Sequence, residues 1–311
     1  MKYRKLGNTG LDVSILGFGG SSLGGAFHKI DEAEGIRAVH VALDHGINLI
    51  DTAPFYGLTK SEEVLGRALR EIPRERYLLS TKVARYGQKP EDFDFSAGRV
   101  TRTVDESLAR LGVEYVDFIQ VHDIEFGDID QVVEETIPAL RKVQAAGKAR
   151  YVGVSGLPVQ LFARVMDRVD LDQIQSYCHY CLNDTALVEL LPRIEKWGMS
   201  VFNSAPLAMR LLSDEGPPEW HPAPAALKAK CAEAAALCRA RGSNIGKLAL
   251  QFSVSNPQIP VNIVGTASPE RVVQNIREIE EPLDEELLAD VLRILEPVHN
   301  LTWHSGRPVN N

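Results

Sequence analysis

The chain has 311 residues, 44% of them hydrophobic, enough to bury a sizeable core. Its formal charge is −8, with 34 basic and 42 acidic side chains interspersed along the chain, which argues against a nucleic-acid or anionic-membrane surface. The opening Met1-Lys2-Tyr3-Arg4-Lys5-Leu6-Gly7 lacks the apolar core of a signal peptide, and no apolar run approaches membrane-spanning length, so a soluble cytoplasmic protein is expected.

In chain order, alternating segments at 3–5 and 11–14 flank the turn Gly7-Asn8-Thr9-Gly10 and predict a short β-hairpin covering one end of the main fold. Residues 15–20 form a buried strand that runs into glycines. Asp31-Glu32-Ala33-Glu34 opens a helix as a capping box, and Gly46 stops it. The apolar run at 47–51 is too short for a helix; it predicts a strand covered on both faces and halted by Ala53-Pro54. A second capping box, Thr59-Lys60-Ser61-Glu62, opens a helix through Leu69. Strands follow at 77–82, 115–122, 149–155, 172–177, 200–204 and 259–264. The helices between and after them fall at 96–112, 130–146, beyond Pro158, at 186–197, 225–241, 245–254, 269–276 and 284–295, with an insertion at 217–224 and a tail over 296–311.

Eight strands, each followed by helix, are what a closed (β/α)₈ TIM barrel requires, so the fold class is α/β, as one domain over residues 1–311. An open doubly wound sheet is the weaker reading, because Gly17-Phe18-Gly19-Gly20 lacks the third glycine of a dinucleotide fingerprint. The four cysteines do not make a zinc site: Cys178-His179-Tyr180-Cys181 has half the required spacing, and Cys231 and Cys238 lie seven apart in an Ala-rich helical stretch. Reduced structural thiols and no metal are expected.

In such a barrel the chemistry collects where strand C-termini meet the following loops. Those ends carry Asp51, Lys82, His122 and Ser155, with Tyr56 on the loop beyond Asp51. Singly, each has an ordinary structural reading, as a cap, a solvated amine, a satisfied imidazole or a packing ring. Together they make a proton-transfer device. A phenol, with a reference pKa of about 10, needs a neighbouring cation to act as a base near neutrality. Lys82 can supply that charge, Asp51 its counter-ion, and His122 can hold a substrate oxygen or relay its proton.

The set Asp51, Tyr56, Lys82 and His122, with Leu16-Gly17-Phe18-Gly19, Asn48-Leu49-Ile50-Asp51-Thr52-Ala53 and Tyr56-Gly57, resembles the catalytic tetrad and opening of the aldo-keto reductases over nearly the whole chain. Longer strings, among them His122-Asp123-Ile124-Glu125-Phe126-Gly127, Ser176-Tyr177-Cys178-His179-Tyr180, Gly216-Pro217-Pro218-Glu219-Trp220-His221-Pro222 and Asn300-Leu301-Thr302-Trp303, resemble a branch of that family that oxidises sugars. The resemblance implies nicotinamide-dependent oxidation of an aldopyranose at C1 to a lactone, with L-galactose as the sugar and L-fucose or D-arabinose as near relatives. It gives Tyr56 the role of general base, Lys82 that of lowering its pKa, Asp51 that of fixing Lys82, and His122 that of orienting the sugar. Two other activities fit the same residues: an NADPH-dependent aldehyde or ketone reductase, and a nicotinamide-sensing binding module with negligible turnover.

The resemblance also assigns the cofactor pocket to Gly20, Ser155, Gln175, Ser204, Pro206, Leu207, Gly265, Thr266, Arg271, Gln274 and Asn275. Gly156 stands where family members usually carry asparagine, and Ser204 where they often carry the tyrosine that stacks on the nicotinamide. NADPH-preferring relatives often begin the 265–275 loop with lysine; Gly265 removes that cation, so NAD is favoured over NADP, with Arg271 keeping the latter possible. Beside Tyr56 and His122, the residues suited to a pyranose are Glu125, Trp220 and Trp303, with His221 and His304 nearby in sequence.

Overall fold

A computed structural model describes residues 1–25 and 30–311. Strands β1 (Tyr3–Lys5) and β2 (Asp12–Ser14) pair antiparallel as the expected hairpin. Eight further strands, β3 (Leu16–Gly19), β4 (Leu49–Asp51), β5 (Leu78–Val83), β6 (Val116–Val121), β7 (Ala149–Gly156), β8 (Gln173–Tyr177), β9 (Ser200–Ser204) and β10 (Val261–Gly265), close into a parallel barrel in sequence order, with β10 beside β3. The strand positions match the sequence reading, with ends shifted by one or two residues.

The strands read as continuous apolar runs because both faces are covered, yet the period of two survives inside. Alternate residues climb from an apolar floor to a polar rim. Leu49, Leu78, Phe118, Phe202, Val261 and Ile263 pack with Leu6 and Val13 of the hairpin region as the floor. Above it Gln120 Nε2 donates to Ser80 Oγ and Gln175 Oε1, at 2.7 and 2.8 Å. Higher still come Asp51, Lys82, His122 and Ser204. The hairpin seals the floor: the Asn8 amide donates to Gly198 O at 2.8 Å, and the Tyr151 hydroxyl donates to Thr9 O at 3.0 Å.

Helix ends mostly follow their local chemistry. Asp31 accepts from the Ala33 and Glu34 amides, and Ser96 from the Arg99 amide. The box expected at Thr59 does not form. Thr59 has φ 78° and its hydroxyl donates to Glu63, while Glu62 turns inward to accept from Thr81 Oγ1 at 2.6 Å and Arg110 Nε at 2.7 Å. The helix expected over 130–146 is also not uniform. Pro138 has no amide to continue the ladder, and the segment Val132–Thr136 widens into a π turn before Ile137–Ala145 resumes. Among the described residues, no helix is long and apolar enough to cross a membrane.

Candidate active site

β4 ends at Asp51, and Lys82 lies one residue before the end of β5, two strands that are direct neighbours. Their side chains therefore meet inside the barrel. Lys82 Nζ lies 2.6 Å from Asp51 Oδ2 and donates to Thr52 O at 2.8 Å, with side-chain exposures of 1% and 3% for the pair. Tyr56 comes round on a tight loop whose turn depends on Gly57: at φ 67°, an added Cβ there would lie 2.2 Å from Gly24 O. That turn brings the Tyr56 hydroxyl 3.4 Å from Lys82 Nζ. His122, immediately after β6, sets its ring edge-on to Tyr56, 5.7 Å between centroids and 88° between planes. The four residues singled out in the sequence are thus brought together at one mouth.

Their charges follow from burial. Burial acts most strongly, to discharge Lys82, but Asp51 and Tyr56 together outweigh it, so its pKa is raised and the ammonium is secure. Burial also raises the Tyr56 phenol. Lys82 pulls it down, as expected from the sequence, yet burial wins because Asp51 already neutralises much of that ammonium. Tyr56 therefore rests as a protonated phenol. His122 is pushed down to about 3, by burial first and by Lys82 and Arg85 as well, so the imidazole is neutral. Asp123 is raised by burial, but the positive charge around it, which with a neutral His122 means the Arg85 guanidinium in contact and Lys82 behind it, holds its pKa lowered.

Gln175 donates to Asp51 Oδ2 at 3.2 Å and to Ser204 Oγ at 2.8 Å, tying the Asp51–Lys82 pair to the end of β9. Ser155 Oγ accepts from the Asp123 amide at 3.3 Å. Gly20 is pinned by Ser61, which donates to its carbonyl at 2.7 Å. Pro206 is buried and Leu207 packs on a second core beneath. Gly265 faces Gly19 in register; a Cβ on Gly19 would lie 3.1 Å from Gly265 Cα, and one on Gly265 3.0 Å from Ser21 Oγ. This leaves a cradle of bare backbone and serine hydroxyls. It leads into the helix Pro269–Glu280, whose cap Ser268 accepts from the Arg271 amide. Thr266 accepts from the Ser268 amide, Arg271 is exposed, Gln274 donates to Glu278, and Asn275 is buried. A helix N-terminus beyond a glycine cradle suits a phosphate-bearing cofactor. Asp51 Oδ1, Gln120 Oε1 and His122 Nδ1 are buried near this mouth without hydrogen-bond partners. The residues present fit the group.

The expected sugar residues are placed less directly. Glu125 is fully buried under the chain's last residues. Its Oε1 accepts from Tyr177 and Ser305 hydroxyls, both at 3.1 Å, and its backbone carbonyl accepts from the Arg307 amide and Asn310 Nδ2, both at 2.9 Å. Trp303 is half-buried and meets His221 edge-on at 5.1 Å, while Trp220 is 57% exposed. His221 has both ring nitrogens on backbone groups, Ala208 O and the Ala223 amide, and His304 is exposed. Sequence reasoning gave no role to Arg85 and Asp123, which form a partly buried ion pair beside His122. The available signal was an acid directly after a strand-end histidine.

Burial, with help from Asp123, pushes Glu125 from its ordinary 4.5 up to about 8. Between those values the folded protein keeps a proton that the unfolded chain has released, so this group costs stability as pH rises, by roughly 1.4 kcal/mol per pH unit. Glu125→Gln is expected to flatten that dependence: the drop in melting temperature from pH 5 to pH 8 shrinks relative to wild type. Equal drops in both proteins would show that Glu125 is not the group responsible.

A closed parallel barrel with a buried ammonium–carboxylate pair, a phenol and a neutral imidazole at its C-terminal mouth defines a barrel enzyme able to move one proton at a substrate oxygen. The Aldo/keto reductase family profile matches residues 15–296. The chain is 48% identical to L-galactose dehydrogenase of Arabidopsis thaliana, covering 98% of each chain, and 30% identical to D-threo-aldose 1-dehydrogenase of a Pseudomonas species, covering 86% of this chain and 89% of that one. Among solved structures, the holo form of an aldo-keto reductase from Bacillus halodurans superposes with a TM-score of 0.77 at 29% identity, covering 98% of each chain. The protein belongs to the aldo/keto reductase family.

Proposed function

We propose that this protein oxidises C1 of L-galactose, or of a related aldose such as L-fucose or D-arabinose, to the aldonolactone, using NAD. The observation that carries the substrate is the 48% identity to L-galactose dehydrogenase across 98% of both chains. In this reading Tyr56 first releases its own proton to solvent, Lys82 stabilises the phenolate so formed while Asp51 holds Lys82, and the phenolate then takes the C1 hydroxyl proton and returns to the phenol. His122 donates to the sugar oxygen from a neutral ring. Glu125 acts on the sugar site through Tyr177, and Trp220 and Trp303 form its outer wall. A bound nicotinamide supplies the hydride acceptor. It would be held by Ser155, Gln175, Ser204 and the Gly20, 206–207 and 265–275 segments.

The same unit, residues 1–311, is proposed to work in the cytoplasm on a free sugar, without nucleic-acid or membrane partners. The four buried, unpaired cysteines suit a reducing compartment. A second reading, reduction of an aldehyde or ketone with NADPH, is favoured by the raised pKa of Tyr56, since a resting phenol is already primed to donate.

The test follows reduced-cofactor formation from NAD and NADP, separately, with L-galactose, L-fucose, D-arabinose and D-galactose, and runs a simple aldehyde in reverse. Strong NAD turnover with L-galactose is the expected result. Aldehyde reduction with NADPH alone would overturn both direction and cofactor. Gly265→Lys, whose side chain needs only a small shift of the Ser21 hydroxyl, is expected to move preference towards NADP. No movement would remove the loop as the basis for NAD.

A further inference from the structure

Arg85 projects from just beyond β5 into a cage of rings. Its guanidinium carbon lies 3.7 Å from the Phe55 centroid and 5.3 and 5.4 Å from those of Phe93 and Phe126, which stack on each other at 4.5 Å. The segment carrying Phe93 is folded back onto the chain just past β5: the Tyr86 amide donates to Asp92 O at 3.0 Å and the Asp94 amide to Ala84 O at 2.9 Å. From this cage Arg85 Nη1 donates to Asp123 Oδ2. That same oxygen lies 3.7 Å from His122 Nε2. Two non-glycine residues hold left-handed backbone to make the meeting possible, Ala84 at φ 78° and Asp123 at φ 51°.

His122 needs such support. A working imidazole is usually fixed by a hydrogen bond on its second nitrogen, but Nδ1 is buried here without a partner. What surrounds the ring is Tyr56 edge-on, Phe55 edge-on at 5.9 Å, and the Asp123 carboxylate. The charged groups that face it are Lys82 and Arg85 from the β5 side and Asp123 from its own loop, with Asp51 behind Lys82. Asp123 alone among the first three favours a charged imidazole.

We propose that Arg85 is a positioning residue: locked in its aromatic cage, it holds Asp123 as a closed ion pair against His122 and so fixes the orientation and charge of that imidazole. The proposal builds on the reading of His122 as the residue that meets the substrate oxygen. Without Arg85, a bare buried carboxylate would face the ring and draw a proton onto it. An imidazolium pulled towards Asp123 no longer presents its N–H to substrate.

The test needs no sugar, so it stands apart from the dehydrogenase assignment. Histidine ring resonances of the free protein are followed by NMR from pH 5 to 9, with His122 assigned by its loss in His122→Asn. In wild type and in Arg85→Lys the His122 signal is expected to stay constant. In Arg85→Met, which keeps the stem in the cage and removes the charge, its midpoint should rise by roughly two pH units or more and enter the window. Arg85→Gln gives the same rise should the methionine variant not fold. Arg85→Met/Asp123→Asn, lacking both charges, should fall silent again. A silent His122 in both charge-removed single variants, or a double variant titrating as the single one does, would overturn the proposal.

Discussion

Tyr56→Phe is expected to reduce turnover by roughly 10²–10⁴-fold, the usual worth of a positioned acid or base, while cofactor affinity read by fluorescence titration is unchanged. The geometry makes this substitution clean. The ring stays, edge-on to His122, and Lys82 keeps both its 2.6 Å contact to Asp51 and its 2.8 Å bond to Thr52 O. Only the hydroxyl 3.4 Å from Lys82 Nζ is lost. A variant with wild-type rates would show that the proton leaves by another group, and His122 would be the next candidate.

The second large effect is on stability as well as rate. Lys82→Met leaves Asp51 almost fully buried with no counter-ion, and its Oδ1 already lacks a partner. Breaking a buried pair from one side costs about 3–5 kcal/mol. We expect a loss of that order in denaturant melts, together with loss of turnover. Lys82→Met/Asp51→Asn should recover much of the stability and none of the rate. If the single variant melted as wild type does, the pair would be a catalytic arrangement that the fold does not depend on.

The barrel is legible in the sequence because each strand is a short, largely apolar run closed by a polar residue or a glycine, and Asp51, His122 and Ser204 mark where three of those runs end or have just ended. The proton-transfer set is legible for the same reason: strand ends share one mouth, whatever their distance along the chain. What escapes is whatever depends on burial or on pairs with no local spacing. The cap at Thr59 fails because Glu62 finds Thr81 and Arg110, residues from two other elements. The net shift of Tyr56 depends on how much of the Lys82 charge Asp51 consumes, a balance of distances. Arg85 and Asp123 are 38 residues apart and meet only through two left-handed backbone positions. Glu125 reads as a polar residue beside the site, and its place beneath Ser305, Arg307 and Asn310 emerges only once the chain's last segment is laid over it.

The hairpin that stoppers the floor has a consequence for traffic. With Leu6 and Val13 packed under Leu49, Phe118 and Phe202, nothing enters or leaves past the lower end of the barrel. Whatever Asp51, Lys82 and His122 act on must therefore reach them from the upper rim. Two molecules sharing one doorway cannot exchange independently: whichever sits deeper arrives first and departs last. Should two molecules bind above this stopper, they would queue by the shape of the vessel before any affinity is considered.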